Sequence, residues 1–171
     1  MIVLMAGLPG TGKTTLAKAL AAKTAGRVIG KDEIRHALFS ASEIEYSTRQ
    51  DDFCLEVMLE IAGYLFLQDR NRIIFLDGRP FSRRYQIDNV VNAAASLHQS
   101  WRILECVCAE GVVRQRLVGQ AVAHPAGNRD YQFYLEVRER FEAIDLPRTV
   151  VDTSASLENC VEEGLKAIKQ G

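Results

Sequence analysis

One stretch limits what this chain can fold into more than any other: Gly7-Leu8-Pro9-Gly10-Thr11-Gly12-Lys13-Thr14-Thr15. It follows an apolar run, Met1 to Ala6, and precedes a helical pattern from Leu16 to Lys23. Strand, glycine loop and helix, in that order, are the setting in which G-x-x-x-x-G-K-[ST] reads as a phosphate-binding loop. Gly7, Gly10 and Gly12 let the backbone bend so that successive N–H groups turn toward an anion. The N-terminus of the following helix adds unpaired donors and a positive dipole end. Gly7, Gly10, Thr11, Gly12, Lys13, Thr14 and Thr15 are therefore the expected nucleotide-phosphate contacts. Lys13 would reach the β- and γ-phosphates, and the Thr14 hydroxyl would ligate Mg²⁺. The loop says what is bound, not what receives a phosphate.

Strand and helix patterns alternate along the rest of the chain, which predicts an α/β fold around a parallel sheet. The expected strands are Ile2-Met5, Arg27-Ile29, Ile73-Leu76, Trp101-Cys108 and Arg148-Val151. Ile2-Met5 is apolar throughout, as a strand covered on both faces requires. Helical periodicity runs from Asp32 to Phe39 and from Arg84 to about Leu97, begins again at Val112-Leu117, and returns over Asp130-Ile144 and Ser156-Lys169. A long helix capped by Ser47 or Thr48 should reach about Asp69, with Phe53, Val57, Ile61, Leu65 and Phe66 as its buried stripe. The region from Gly119 to Asn128 carries a proline and small residues, the composition of a loop. The prediction is a single domain over residues 1–171, in three layers, with sheet order 2-3-1-4-5 and a lid at about 116–130.

Composition narrows the partners. With 171 residues, 47% of them hydrophobic, the chain can bury a proper core. A net charge of −1 gives no general attraction to nucleic acid or to an anionic membrane. Arginine outnumbers lysine, 15 to 6, which suits planar recognition of phosphate and carboxylate but equally follows from codon usage. Cys54, Cys106, Cys108 and Cys160 have no C-x-x-C spacing and read as thiols of a reducing compartment. Met1 leads straight into the first strand, and no apolar run approaches the roughly 20 residues of a membrane span. A cytoplasmic protein is expected.

Polar residues fall at the carboxyl ends of the predicted strands, where open parallel sheets bind ligands. Asp32 lies past the second strand, and Asp77 ends the third, with Arg79 and Arg83 close behind. Gly7-Thr15, Lys31-Asp32-Glu33-Ile34-Arg35 and Ile73-Asp77 together resemble the small P-loop kinases of the AAA_33-like group. Relatives of that group include polynucleotide 5′-kinases, zeta-type toxins, antibiotic phosphotransferases and adenylylsulfate kinases. The resemblance implies that Asp32 accepts the proton of an attacking hydroxyl, although capping of the helix is the plainer role for it. It implies further that Arg35 contacts the acceptor, perched one turn from Asp32. Asp77 ends its strand as a Walker B aspartate does, for Mg²⁺ or for substrate, and Arg79 points inward beside it. The connection after the fourth strand becomes a lid whose arginines stabilise the transferring phosphoryl group. Arg116 and Arg129 are the candidates, with Arg114 behind them as a nucleotide contact; Gln120 stands where a further lid arginine is often found. Asp152-Thr153-Ser154 occupies the place where such kinases meet the adenine, mostly through backbone.

The expectation is an ATP- and Mg²⁺-dependent phosphotransferase acting on a hydroxyl of a small molecule. A 5′-hydroxyl polynucleotide kinase and a nucleotide-dependent ATPase or switch are the alternatives; near-neutral charge argues against the first.

Overall fold

The computed structural model describes residues 1–120 and 130–169, the side chains of residues 119 and 120 excepted. Five parallel strands form one sheet: β1 (Ile2–Ala6), β2 (Arg27–Gly30), β3 (Ile74–Asp77), β4 (Trp101–Val107) and β5 (Thr149–Asp152). Their order is β2-β3-β1-β4-β5, as expected. The helices are α1 (Lys13–Thr24), α2 (Lys31–Leu38), α3 (Thr48–Gln68), α4 (Arg84–Ser96), α5 (Glu110–Gln120), α6 (Tyr131–Glu139) and α7 (Leu157–Lys169).

Alternation along β1 explains the three layers. Ile2, Leu4 and Ala6 join Ile74, Leu76 and Ile103 on one face, covered by α3 and α4 through Leu55, Met58, Ala62, Ile87 and Val90. Val3 and Met5 face the other way with Phe75, Leu104 and Val151, under Leu16 and Leu20 of α1 and Val161 and Ile168 of α7. All five residues of β1 are 0% exposed, so its uninterrupted apolar run is the signature of a central strand buried on both sides. Cys54, Cys106 and Cys160 are buried free thiols. Burial pushes the Cys106 thiol up to about 12, so it behaves as a small hydrophobe of the sheet.

Three sequence expectations shift. The buried stripe of α3 is Cys54, Met58, Ala62 and Phe66, with Leu55 beside it. Phe53 lies on the neighbouring face, 46% exposed and edge-on to Phe39, while Val57, Ile61 and Leu65 are only half-buried. The apolar arc of α3 is broad, and the residues that approach the sheet include the small ones, which hydropathy underweights. The helix expected over Asp130-Ile144 ends at Glu139. Its continuation makes other bonds: Glu142 N donates to Ser82 O (2.9 Å), and the Glu142 carboxylate accepts from Arg84 N (2.7 Å) and Arg83 Nη1 (2.8 Å). Ile144 still reaches the core, from irregular chain. Finally, α2 begins at Lys31 with Gly30 as its cap residue, so Asp32 sits inside the first turn and its carboxylate is not a cap. No helix among the described residues is long and apolar enough to cross a membrane.

Candidate active site

Strand register brings the chemistry to one edge. Gly30 pairs with Asp77, which sets Asp32, two residues on, beside the end of β3. Leu4 pairs with Leu76, so the loop after β1 and the loop after β3 run level, and Gly7 N donates to Pro80 O (3.0 Å).

The glycine loop takes the form its sequence predicts. Gly7, Gly10 and Gly12 have φ of 126°, 77° and 80°, a region that side-chain-bearing residues rarely adopt. Gly7 is the tightest: a Cβ there would lie 2.2 Å from the Cys106 carbonyl oxygen, part of a central strand that cannot retreat. Gly7→Ala should therefore destabilise the fold by more than about 1 kcal/mol and disturb the loop itself. The check is thermal unfolding with and without ATP; an unaltered midpoint and an unaltered ATP-induced rise would contradict it. Lys13, 7% exposed, opens α1 and folds back over the loop, its Nζ donating to Gly7 O (2.8 Å) and Leu8 O (2.6 Å). Leu8 is also held from above by Val113 and Leu117 of α5 and Tyr134 of α6, so the base of the predicted lid packs on the phosphate loop.

Two cavities flank that loop. One, of about 470 Å³, is lined by Gly10, Gly12, Lys13, Thr14, Thr15, Arg116 and Thr153, among others. Arg116 is tied to its floor, with Nη1 to Thr153 Oγ1 (3.2 Å) and Nη2 to Thr153 O (2.7 Å). Thr153 in turn donates to Thr11 O (2.8 Å), which links the loop after β5 to the phosphate loop. The other cavity, of about 310 Å³, is lined by Lys13, Lys31, Asp32, Arg35, Asp51, Arg79 and Arg140, with Tyr46, Tyr85 and Phe133 as aromatic walls. Lys13 and Gly78 line both, so the cavities meet at these two residues.

Inside the second cavity the charges interlock. Arg35, 0% exposed, donates through Nη1 to Asp32 Oδ1 (2.8 Å) and through Nη2 to Asp51. Lys31 Nζ donates to Asp51 Oδ1 (2.7 Å) and lies 3.7 Å from Asp32 Oδ1. Burial lowers the Lys31 pKa, against the pull of Asp51 and Asp32. Arg79, 2% exposed, donates through Nη2 to Asp52 (2.5 Å), and Tyr85 OH also donates to that carboxylate. Its Nε and Nη1 are buried without a hydrogen-bond partner among the described residues, as is Arg35 Nε. Each such unmet bond costs on the order of 1–3 kcal/mol, so a site that keeps them is arranged for something else. Of the four positive-φ non-glycine residues among the described residues, Tyr46 lines this cavity and Phe81 stands between two of its lining residues, with φ of 50° and 53°.

Asp51, in the first turn of α3, and Asp52, the residue after it, escaped the sequence reading. Their only local signal is acid at a helix N-terminus, which the helix dipole already accounts for. Of the residues that reading selected, the phosphate loop, Asp32, Arg35, Asp77, Arg79 and Arg116 converge on the two cavities or their rim. Arg114 lines neither; its guanidinium stacks over the Tyr131 ring at 4.3 Å. Arg129 and most of the predicted lid lie outside the described residues. Asp77 is 4% exposed with Oδ1 unpartnered among the described residues, next to Gly78 at the junction of the cavities. With the Thr14 hydroxyl in the first cavity, that carboxylate fits the donor set of a divalent cation held partly through water.

Comparison with known proteins agrees with this architecture. The family model AAA_33, an AAA domain, matches residues 2–144. A search of curated proteins finds no significant match. Among solved structures, the gluconokinase of Sinorhizobium meliloti 1021 superposes with a TM-score of 0.70 at 16% identity, over 99% of this chain and 91% of that one. The Mycobacterium tuberculosis APS kinase CysC, in complex with AMPPNP and APS, gives 0.72 at 16% identity, over 98% and 96%. Chaetomium thermophilum Kti12, in complex with ADP-AlF3, gives 0.69 at 14% identity, over 98% and 99%. At these identities the likeness is one of fold.

Proposed function

Because this chain belongs to the AAA_33 family, we propose that it is an ATP-dependent phosphotransferase moving the γ-phosphate to a hydroxyl of a small molecule. The observation that carries this reading is the meeting of two cavities at Lys13. A nucleotide whose phosphates lie along the loop amides and Thr15 would direct its γ-phosphate at Lys13. An acceptor in the second cavity would approach that phosphate from the side of Asp32. Positioning and charge stabilisation are most of what phosphoryl transfer requires.

Each residue then has a task. Lys13 leaves the carbonyls of Gly7 and Leu8 for the β- and γ-phosphate oxygens. Thr14 and Asp77 would hold Mg²⁺, which neutralises phosphate charge when bound. Asp32 orients the acceptor hydroxyl and takes its proton. Arg35 holds Asp32 in place, and Arg79 holds the acceptor. Arg116, anchored on Thr153, faces the phosphates with a charge that Arg129 would supplement. Two structural neighbours are complexes with AMPPNP and APS and with ADP-AlF3, ligands of the kind this site would take. A reducing, cytoplasmic setting suits the free thiols.

The test is an ATP-consumption screen over sugars, sugar acids, nucleosides and aminoglycosides, with product mass measured. ADP release stimulated by one class, with a product heavier by one phosphoryl group, is the expected result. Phosphate release that no acceptor stimulates would instead favour an ATPase or switch. Stimulation by 5′-hydroxyl oligonucleotides alone would favour the polynucleotide kinase.

A further inference from the structure

The charge distribution of the second cavity specifies more than a hydroxyl. We infer, on the reading of that cavity as the acceptor site, that the acceptor also carries an anionic group, a carboxylate or a phosphate ester, received by Arg79 with Arg140 at the mouth.

Six basic side chains line this cavity, Lys13, Lys31, Arg35, Arg79, Arg83 and Arg140, against the carboxylates of Asp32 and Asp51. The pairing among them is uneven. Lys31 and Arg35 are engaged by Asp32 and Asp51, and Arg83 by Glu142. Lys13 serves the donor phosphates. Arg79 is paired with Asp52 through Nη2, which also reaches Tyr85 OH, yet its Nε and Nη1 stay unpartnered among the described residues, and Arg140 has no ion pair among them. Arg79 is 2% exposed and lines the cavity. A buried guanidinium with donors to spare suits a planar or tetrahedral anion.

A neutral polyol would leave the Arg140 charge and the spare Arg79 donors unmet, and a cationic acceptor would add to the positive charge. An anion held by Arg79 and Arg140 meets that demand and leaves the hydroxyl end of the same molecule for Asp32 and Lys13. The aromatic walls of Tyr46, Tyr85 and Phe133 then enclose the apolar part between the two polar ends. A volume of about 310 Å³ is at the small end for ligand pockets, so the acceptor is a compact metabolite.

The test compares matched acceptors on the full wild-type chain: sugar acids and sugar phosphates against their neutral parent sugars, with aminoglycosides as the cationic arm. Acceptor-dependent ADP release is measured together with product mass. The expected result is a kcat/KM for one anionic arm at least about 100-fold above its neutral parent, since a site built for polar partners rejects analogues lacking them strongly. Which anionic arm responds separates carboxylate from phosphate ester. Arg79→Gln should then raise KM for that acceptor at least about tenfold, more than it lowers kcat, with Arg79→Lys between the two. Arg140 is exposed, so Arg140→Ala keeps the fold and should raise the same KM even where the Arg79 variants are unstable. Neutral or cationic acceptors used as well as anionic ones would overturn the inference while leaving the phosphotransferase intact. An unchanged KM in both Arg79→Gln and Arg140→Ala would overturn it in the same way. ATP hydrolysis stimulated by no acceptor of any class would remove the parent reading and this one together.

Discussion

Asp32→Asn should lower acceptor phosphorylation by about 10²- to 10⁴-fold, the range that loss of a positioned general base produces, while ATP still binds. Asparagine keeps the size of the side chain and can still accept a hydrogen bond from Arg35 Nη1, now 2.8 Å from Asp32 Oδ1. What it cannot do is take a proton from the acceptor. Nor does the cluster fall apart, because Asp51 still binds both Lys31 and Arg35. Most of the phosphate loop lines the other cavity, and only Pro9 and Lys13 reach the one that Asp32 lines. Single-turnover transfer to the acceptor found by screening, alongside equilibrium binding of a fluorescent ATP analogue, separates these effects. Turnover close to wild type would exclude Asp32 from the proton transfer. Loss of nucleotide binding would show that its role is structural.

The sequence carried the sheet well because the physics there is local. A strand buried on both faces is apolar at every position, as Ile2–Ala6 is, and the glycine loop marks where it turns into a helix. Asp32 and Asp77 were legible because polar residues just past such strands have few other reasons to be there. The interior of the acceptor cavity was less legible. Asp51 binds Lys31 and Arg35, and Asp52 binds Arg79, across separations of 20, 16 and 27 residues. Nothing in the first turn of α3 announces partners that distant, and only the fold brings them together. The burial of α3 failed to read for a related reason. Hydropathy points to its large residues, whereas Cys54 and Ala62 reach the core and Phe53 turns outward to Phe39. Arg114 illustrates the converse: an arginine in a plausible lid position is captured by Tyr131.

The remaining large effect concerns the donor side. Lys13→Ala should reduce transfer by at least about 10²- to 10³-fold, the usual consequence of removing one donor aimed at developing charge, and should weaken ATP binding as well. Lys13 lines both cavities, so on the proposed reading it would meet the phosphates before and during transfer. Its Nζ donates to two carbonyl oxygens of the loop, Gly7 O and Leu8 O. Those bonds keep a buried cation solvated by the backbone until phosphate replaces them, and they rigidify the loop in the meantime. Alanine removes the charge and both bonds, but it is the best helix former at the first position of α1, so the fold should survive. Circular dichroism and thermal unfolding establish that survival, and nucleotide titration with single-turnover transfer measures the loss. The pattern distinguishes the two halves of the site. Lys13→Ala should depress nucleotide affinity and transfer together, whereas Asp32→Asn depresses transfer alone. A Lys13→Ala variant that binds ATP as tightly as wild type and still transfers phosphate would place the reacting phosphate somewhere other than the junction of the two cavities.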